Sequence, residues 1–147
     1  MTLLYADTSA LVRTYLRDEP DHAALRNLLF DASHTVVTSE LARVELASAA
    51  ASAERVGRVR RLPELLHRMD ADAGPGGPIR LLTLRPNSVF PAAQRLVLEH
   101  PMRALDAIHL AVAVQECPSL SDDGTFTFVT RAEDQAAATR ALGVQVA

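Results

Sequence analysis

Lysine is absent from this chain of 147 residues, and all 15 of its basic residues are arginine. A mechanism that needs a catalytic lysine is therefore excluded. Cysteine occurs once, so no disulfide can form within the chain, and we expect Cys117 to be a thiol of the core or of a loop. Tryptophan is absent too, and with two tyrosines and four phenylalanines the chain offers few rings on which bases could stack.

Long apolar runs are missing as well. None approaches the roughly 20 residues that cross a bilayer, and the N-terminus MTLLYADTSA lacks the basic and then apolar pattern of a signal peptide. We therefore expect a soluble, cytoplasmic protein without a membrane partner. The net charge of -3 gives no overall attraction for nucleic acid, although clustered local charge can still provide it. The length fits a single domain over residues 1–147.

Short apolar or β-branched segments alternate along the chain with longer helical patterns. We predict strands at 2–6, 35–38, 79–84, 127–130 and 144–146. We predict helices at 10–31 with a break near Pro20, and at 39–53, 54–69, 91–100, 101–116 and 133–142. Strands that alternate with helices indicate an α/β fold, a three-layer α/β/α sandwich with a mostly parallel sheet of four to five strands.

An aspartate, Asp7, directly follows the first predicted strand. Open α/β sheets bind their ligands at the carboxyl ends of the strands, so Asp7 is a candidate site residue. The simpler explanation is that Asp7, Thr8 or Ser9 caps the next helix. Both roles can coexist, with Ser9 as the cap and Asp7 pointing into a cleft.

Glu45 lies in a predicted helix and has no basic residue three or four positions away on that helix. Glu40, by contrast, has Arg43 three residues on, which predicts a surface ion pair. A buried carboxylate without a partner is costly, so Glu45 needs a partner from another element, a raised pKa or a metal ion. The alternative is that Glu45 is exposed on the rim of an amphipathic helix.

Asp106 and His109 are the only polar residues between Ala104 and Val114. A helix that is apolar nearly all round is buried, which makes Asp106 the strongest single signal in the chain. Arg103 could pair with Asp106, and His109 lies on the same helical face. A zinc site is conceivable, but no further histidine or cysteine stands at ligand spacing, so we expect His109 to orient its surroundings through hydrogen bonds.

Three carboxylates on separate elements suit a hard divalent cation. Mg²⁺ and Mn²⁺ prefer oxygen ligands and keep several of their waters. Such an ion stabilises charge on a phosphoryl group and activates water for attack on a phosphodiester. Without a cation the clustered carboxylates repel one another. We therefore predict an Mg²⁺ or Mn²⁺ site formed by Asp7, Glu45 and Asp106.

The chain resembles the PIN-domain nucleases, and among them the small VapC-type toxins of toxin-antitoxin pairs. The resemblance lies in DTS after the first strand, SELARVEL, RALDAIHLA and the final FVTRAEDQAAATRALGVQV. It implies a metal-dependent endoribonuclease toxin that forms a homodimer and is neutralised by a VapB-like antitoxin. It also implies that Asp7, Glu45 and Asp106 are the catalytic metal ligands and that Ser9 and Thr130 are hydroxyl residues lining the site.

One position departs from the pattern of these toxins. Similar proteins usually carry another aspartate two residues after the threonine that ends the fourth strand, and here that residue is Ala132. Glu133 or Asp134 could supply the missing ligand, or could simply favour the positive end of the last helix. The alternative function is a catalytically weak or inactive binding module of the same fold.

The only basic cluster of the sequence lies between positions 55 and 68. Its members Arg55, Arg58, Arg60 and Arg61 could grip RNA phosphates, form a solvated face or contact an acidic antitoxin segment. The apolar content of the helices between 39 and 69 offers a possible partner surface. A phosphotransfer domain with Asp7 as its nucleophile is a poorer match, because position 9 is serine and lysine is absent.

Overall fold

Strands and helices alternate through the chain, as the α/β pattern predicts. The structure is a computed structural model and describes residues 2–147. Its strands are β1 (Thr2–Ala6), β2 (His34–Ser39), β3 (Ile79–Leu82), β4 (Thr127–Val129) and β5 (Gln145–Val146). Its helices are α1 (Thr8–Tyr15), α2 (His22–Leu29), α3 (Leu41–Arg55), α4 (Leu62–Asp72), α5 (Pro86–Glu99), α6 (Ala104–Glu116) and α7 (Glu133–Ala141), with a short 3₁₀ turn at Cys117–Ser119.

The five strands form one parallel sheet in the order β3-β2-β1-β4-β5. Leu4 of the central strand is in register with Val36 of β2 on one side and with Thr127 of β4 on the other. All carboxyl ends therefore lie at the same edge of the sheet. The chain continues from β1 to β2 on one side and later crosses to β4 on the other, so β1 ends where open α/β sheets place their ligands.

Helices cover both faces of the sheet, which confirms the predicted three layers. Successive residues of a strand point to opposite faces. Leu4 and Ala6 accordingly pack with α1, α2, α3 and α4, whereas Leu3 and Tyr5 pack with α5, α6 and α7. Both faces of the parallel sheet are thus buried, and the site has to form at the edge where the strands end.

Three helix boundaries differ from the sequence predictions. The stretch predicted as one helix from 54 is interrupted after Arg55 by Gly57, whose φ of 79° suits glycine at the end of a helix. Helix α5 begins at Pro86, which is favourable at a first helical position, and not at Pro91. Pro91 lies inside α5, where its missing N–H removes one helical hydrogen bond. Helix α6 starts at Ala104, because Arg103 is still extended.

Exposed apolar side chains lie mainly on α5 and α6, on their outward side. Leu98 is 86% exposed, and Phe90, Val97 and Leu105 are also exposed. Within the segment from 39 to 69 the exposed large apolar residues are Val44 and Val56. The partner surface predicted for that segment stays a prediction.

Two further expectations concern the apolar helices and the single cysteine. No helix within residues 2–147 is long and apolar enough to cross a membrane. Cys117 is a free thiol, fully buried between the sheet and α6, as expected for a core residue. Burial, with a smaller contribution from Glu116, raises the pKa of the Cys117 thiol to about 12.

Candidate active site

Asp7 leaves the end of β1 and performs both of the roles considered for it. Its backbone N–H donates to the Val129 carbonyl at 2.9 Å, which ties it to β4. One carboxylate oxygen, Oδ2, accepts the backbone N–H of Ser9 at 2.9 Å and so caps α1. The residue is only 2% exposed, and its other oxygen, Oδ1, faces the side chains of α6 and α7.

Glu45 lies in the second turn of α3 and points towards the end of β1. Its Oε1 accepts the hydroxyl of Thr8 at 3.0 Å and the Nε2–H of His109 at 2.5 Å. Its partners thus come from α1 and α6, in line with the absence of a basic neighbour on its own helix. The side chain is 22% exposed, so Glu45 lies in the wall of the site and not on an unpartnered rim.

His109 joins two of the predicted carboxylates. It is completely buried, with Nε2 bonded to Glu45 and Nδ1 3.9 Å from Oδ1 of Asp7. Nδ1 also shares a 2.8 Å hydrogen bond with the hydroxyl of Tyr5. Burial alone would lower the pKa of His109, but the bond to Glu45 and the charges of Asp7, Glu45 and Asp106 outweigh it and raise this pKa. The orienting role expected of His109 agrees with these contacts.

Asp106 lies in the first turn of α6 and is half-buried. Burial and the nearby charge of Asp7, with a smaller effect of Glu45, raise the pKa of Asp106, while His109 and Arg103 oppose the rise. The carboxylate therefore belongs to the same electrostatic cluster as the other two acids. None of the ion pairs within residues 2–147 joins it to Arg103, so the structural pair considered for these two residues does not form.

Ser9 and Thr130, the two hydroxyl residues predicted to line the site, lie next to each other beside Asp7 and connect it to α7. The two hydroxyls are 3.1 Å apart, and Ser9 Oγ accepts the backbone N–H of Arg131 at 2.9 Å. Thr130 Oγ1 accepts the N–H of Ala132 and donates to Oε1 of Gln135 at 2.6 Å. Because Thr130 gives its proton to Gln135, the hydroxyl of Ser9 is the donor between Ser9 and Thr130.

Gln135 is the site residue that the sequence predictions missed. It is completely buried, and its Nε2 donates to Asp7 Oδ1 at 3.1 Å and to the Asp106 carbonyl at 3.0 Å. A signal was present, because Gln135 shares the inward face of α7 with Ala138 and Thr139, three and four positions on. A polar residue on the buried face of a helix needs a partner.

Glu133 and Asp134 are both exposed in the first turn of α7. That either one supplies the acid missing at Ala132 stays a prediction. At the start of α7, Gln135 is the buried side chain that points towards Asp7. Glu133 and Asp134 sit where acidic residues favour the positive end of a helix.

The predicted RNA-binding arginines lie away from this cluster. Arg55 comes ten residues after Glu45 on α3, about 15 Å further along the helix axis. Arg58, in the loop that follows, forms ion pairs of 2.7 Å with both Asp18 and Glu19. Arg60 and Arg61 are exposed in the same loop.

The oxygen donors of the site suit a hard cation. Glu45 Oε2 and both carboxylate oxygens of Asp106 accept no hydrogen bond within residues 2–147, which leaves them available as ligands. In the same range no group of three or more His, Cys, Asp or Glu side chains is arranged so that it could hold a metal ion as the side chains stand. An open set of carboxylates fits Mg²⁺ or Mn²⁺, which keep several waters, better than an ion that requires a closed cage.

Comparisons with known proteins agree with this arrangement. The family model of the PIN domain matches residues 4–129. Among solved structures, VapC20 of Mycobacterium tuberculosis, described as a sarcin-ricin loop cleaving toxin, is similar with a TM-score of 0.65 and 18% identity over 92% of this chain and 94% of that one. VapBC2 of Rickettsia felis, bound to a DNA fragment from its promoter, has a TM-score of 0.64 and 12% identity over 99% and 98%. No curated protein sequence matches. At these identities the structural likeness shows a shared fold.

Proposed function

The chain belongs to the PIN domain family, and from that premise we propose that it is a metal-dependent endoribonuclease, the toxin of a toxin-antitoxin pair. The observation that carries the proposal is the convergence of Asp7, Glu45 and Asp106 at the carboxyl edge of the sheet. They come from the end of β1, the second turn of α3 and the first turn of α6. Their chemistry, three carboxylates of which Glu45 and Asp106 have oxygens without a hydrogen bond, suits a hard cation on which phosphate chemistry can occur.

Asp7, Glu45 and Asp106 are the residues that hold the metal ion in this proposal. When bound there, Mg²⁺ or Mn²⁺ supplies stabilisation of phosphoryl charge and a water of lowered pKa. His109 and Thr8 fix Oε1 of Glu45, so that its second oxygen faces the site. Ser9 and Gln135 each hold one oxygen of Asp7. The protein thus presents its carboxylates in fixed orientations before a substrate arrives.

The toxin assignment rests on the family and on the two structural relatives, one described as a toxin and the other as a VapBC complex. By that analogy we propose a VapB-like antitoxin as the partner, a homodimer as the assembly and the cytoplasm as the place of action. The outward apolar side chains of α5 and α6, of which Leu98 is the most exposed, are the proposed dimer surface. A patch of this kind on a protein surface commonly marks a protein interface.

Contacts between RNA and the arginine cluster remain part of the proposal, with a restricted role. Arg55, Arg60 and Arg61 are exposed and unpaired within residues 2–147, whereas Arg58 is already neutralised by Asp18 and Glu19. At about 15 Å or more from Glu45 along α3, these arginines can contact only phosphates distant from the cut. They would contribute to affinity and its salt dependence, and not to the chemical step.

The competing function is a binding module with a weakened metal site. It is favoured by one observation, since α7 contributes the neutral amide of Gln135 and no carboxylate to the cluster. Metal-dependent cleavage by the purified protein discriminates between the two functions.

The test uses metal-stripped protein with structured and single-stranded RNAs, assayed with Mg²⁺, with Mn²⁺ and with EDTA. We expect cleavage with either metal and none with EDTA. Asp106→Asn should be inactive, and Asp122→Asn, which removes an exposed loop carboxylate, should cleave like the wild type. Cleavage that survives metal stripping and EDTA, or that persists in Asp106→Asn, contradicts the proposal.

A further inference from the structure

We propose that Gln135 is a positioning residue of this site, a neutral amide that clamps Asp7 and takes up the space from which α7 could offer a carboxylate. The clamp itself is visible in the contacts of the side chain. Its consequence for metal binding rests on the proposed function. Gln135 lies within the final segment FVTRAEDQAAATRALGVQV but was not among the residues assigned to the site, and its partner Asp7 is 128 positions away in the chain.

The orientation of the Gln135 amide follows from its partners. Oε1 accepts the hydroxyl of Thr130 at 2.6 Å. Nε2 donates to Asp7 Oδ1 and to the Asp106 carbonyl, at 3.1 and 3.0 Å, and both of these oxygens can only accept. A flipped amide would set an oxygen against two acceptors. Both N–H groups are therefore committed, one to a metal-ligand candidate and one to the backbone that carries another.

This amide joins the elements that supply the site. Asp7 follows β1, Asp106 begins α6 and Thr130 follows β4, and the 0% exposed side chain of Gln135 touches all of them from α7. With Ser9 holding Oδ2 and Gln135 holding Oδ1, the carboxylate of Asp7 cannot rotate. A buried carboxylate beside two other acids also needs such donors to offset the loss of water. Gln135 thus fixes the orientation of the Asp7 carboxylate and, as a neutral amide, adds no negative charge to the site.

The isosteric acid gives a sharp test of this role. In Gln135→Glu an oxygen replaces the Nε2 that faces Asp7, so two acceptors confront each other without a proton between them. The metal-free protein should therefore be less stable. A divalent cation relieves that repulsion, and the variant brings a fourth carboxylate to the site. We expect Mn²⁺ to bind Gln135→Glu about tenfold more tightly than the wild type, and the melting temperature to rise more on addition of Mn²⁺.

Gln135→Met removes the donors and keeps the approximate size of the side chain. Asp7 then loses the partner of Oδ1, and Mn²⁺ affinity should fall about tenfold, at the low end of what losing an outer partner of a metal ligand costs. Opposite changes in affinity for the acid and the apolar variant separate positioning from a structural role, because a purely structural defect weakens binding in both. Gln94→Glu, the same change at an exposed position of α5, should bind Mn²⁺ like the wild type.

The experiment is calorimetric titration of the full-length variants with Mn²⁺ in the absence of RNA, with thermal melts in EDTA and in Mn²⁺. The expected result is tighter binding by Gln135→Glu and weaker binding by Gln135→Met. A folded Gln135→Glu variant that binds Mn²⁺ no more tightly than the wild type overturns the inference. If these variants are too unstable, Asp7→Asn combined with Gln135→Glu restores the bond with donor and acceptor exchanged. That double variant should melt higher than Gln135→Glu alone, and an equal or lower melting temperature overturns the clamp.

These measurements are independent of cleavage. A wild type that binds Mn²⁺ but cuts no RNA contradicts the nuclease proposal and leaves the role of Gln135 intact. In the reverse outcome, the wild type cleaves RNA but both Gln135 variants bind Mn²⁺ like the wild type. That outcome contradicts the role of Gln135 and leaves the nuclease proposal intact.

Discussion

Replacing Ala132 by aspartate tests whether the start of α7 can supply the carboxylate that this chain lacks. Ala132 is the N-cap residue of α7, extended at φ −90° and ψ 113°, and its methyl group caps no backbone N–H. Its own N–H donates to Thr130 Oγ1 at 3.0 Å, so residue 132 is held beside the hydroxyls that line the site. An aspartate there can turn towards the helix as a cap or towards Asp7 and Asp106 as a metal ligand.

The two orientations of the new aspartate should have different effects on stability and on Mn²⁺ affinity. Capping should stabilise the protein by about 1 kcal/mol, and the negative charge at the positive end of the helix adds roughly 0.3–1 kcal/mol. For a domain of this size that corresponds to a rise of about 3–8 °C in melting temperature. Repulsion by Asp7 and Asp106 reduces this gain in the metal-free protein, because burial and like charge already raise the pKa of Asp106. With metal bound the repulsion is relieved, and Mn²⁺ should bind about tenfold more tightly, equivalent to about 1.4 kcal/mol.

Ala132→Ser is the matched control, since serine caps a helix as well as aspartate does but carries no charge. Thermal melts and Mn²⁺ titrations of the two variants separate capping from coordination. We expect both to melt higher than the wild type in EDTA or Mn²⁺, and only Ala132→Asp to bind Mn²⁺ more tightly and cleave faster. Equal Mn²⁺ affinity in the two folded variants refutes the argument that a fourth carboxylate is missing.

Three further predictions follow from the site and the surface. The single amide variants Asp7→Asn, Glu45→Gln and Asp106→Asn should lose cleavage and toxicity, and wild-type cleavage by any of them removes that residue from the site. Glu45→Gln and Asp106→Asn should melt at the wild-type temperature or slightly above it, because less negative charge is clustered. Asp7→Asn should melt lower, because its amide nitrogen meets one of the donors, Ser9 N–H or Gln135 Nε2, that the carboxylate accepts in the wild type. The metal-free protein should lose stability as pH rises from about 6.5 through the raised pKa of His109, because the folded state holds that proton more tightly than the unfolded state. A series of thermal melts at increasing pH should show this loss, and His109→Gln should reduce it. A melting temperature that rises over the same pH range contradicts the raised pKa. Leu98→Asp should shift a dimer to monomer in sedimentation while leaving the melting temperature of the monomer unchanged. Val44→Asp, at a 71% exposed position of α3, is the control that leaves the dimer intact.

The carboxylates of the site could be predicted because each breaks a local pattern. Asp7 follows an apolar strand, and Asp106 interrupts an apolar helix, so burial and charge conflict in the sequence itself. Glu45 was recognisable from the lack of a partner on its own helix. The parallel sheet was predictable from the alternation of strands and helices, and parallel strands bring their ends to one edge.

Gln135 gives a weaker signal, because its spacing to Ala138 and Thr139 suggests a shared face, but a glutamine in an alanine-rich helix is also compatible with an exposed face. Its role depends on which face of α7 meets Asp7, and that is set by packing between distant segments. The arginine cluster shows the opposite difficulty, because residues that suggest a site in the sequence lie away from it in the fold. Its members are close in sequence, yet α3 carries Arg55 away from Glu45, and Arg58 is neutralised by Asp18 and Glu19 from the loop between α1 and α2. The closeness of these arginines in the sequence therefore did not place them at the site.

The central claim is that Asp7, Glu45 and Asp106 form one cation site that cleaves RNA. The most direct test is the rate of RNA cleavage as a function of Mn²⁺ concentration for metal-stripped wild type and Glu45→Gln, with Glu99→Gln as the control for an exposed glutamate. The account predicts saturable cleavage that EDTA reverses in the wild type and in Glu99→Gln, and no cleavage by Glu45→Gln at the Mn²⁺ concentration that saturates the wild type. Wild-type rates in Glu45→Gln, or wild-type cleavage that does not depend on added metal, would contradict it.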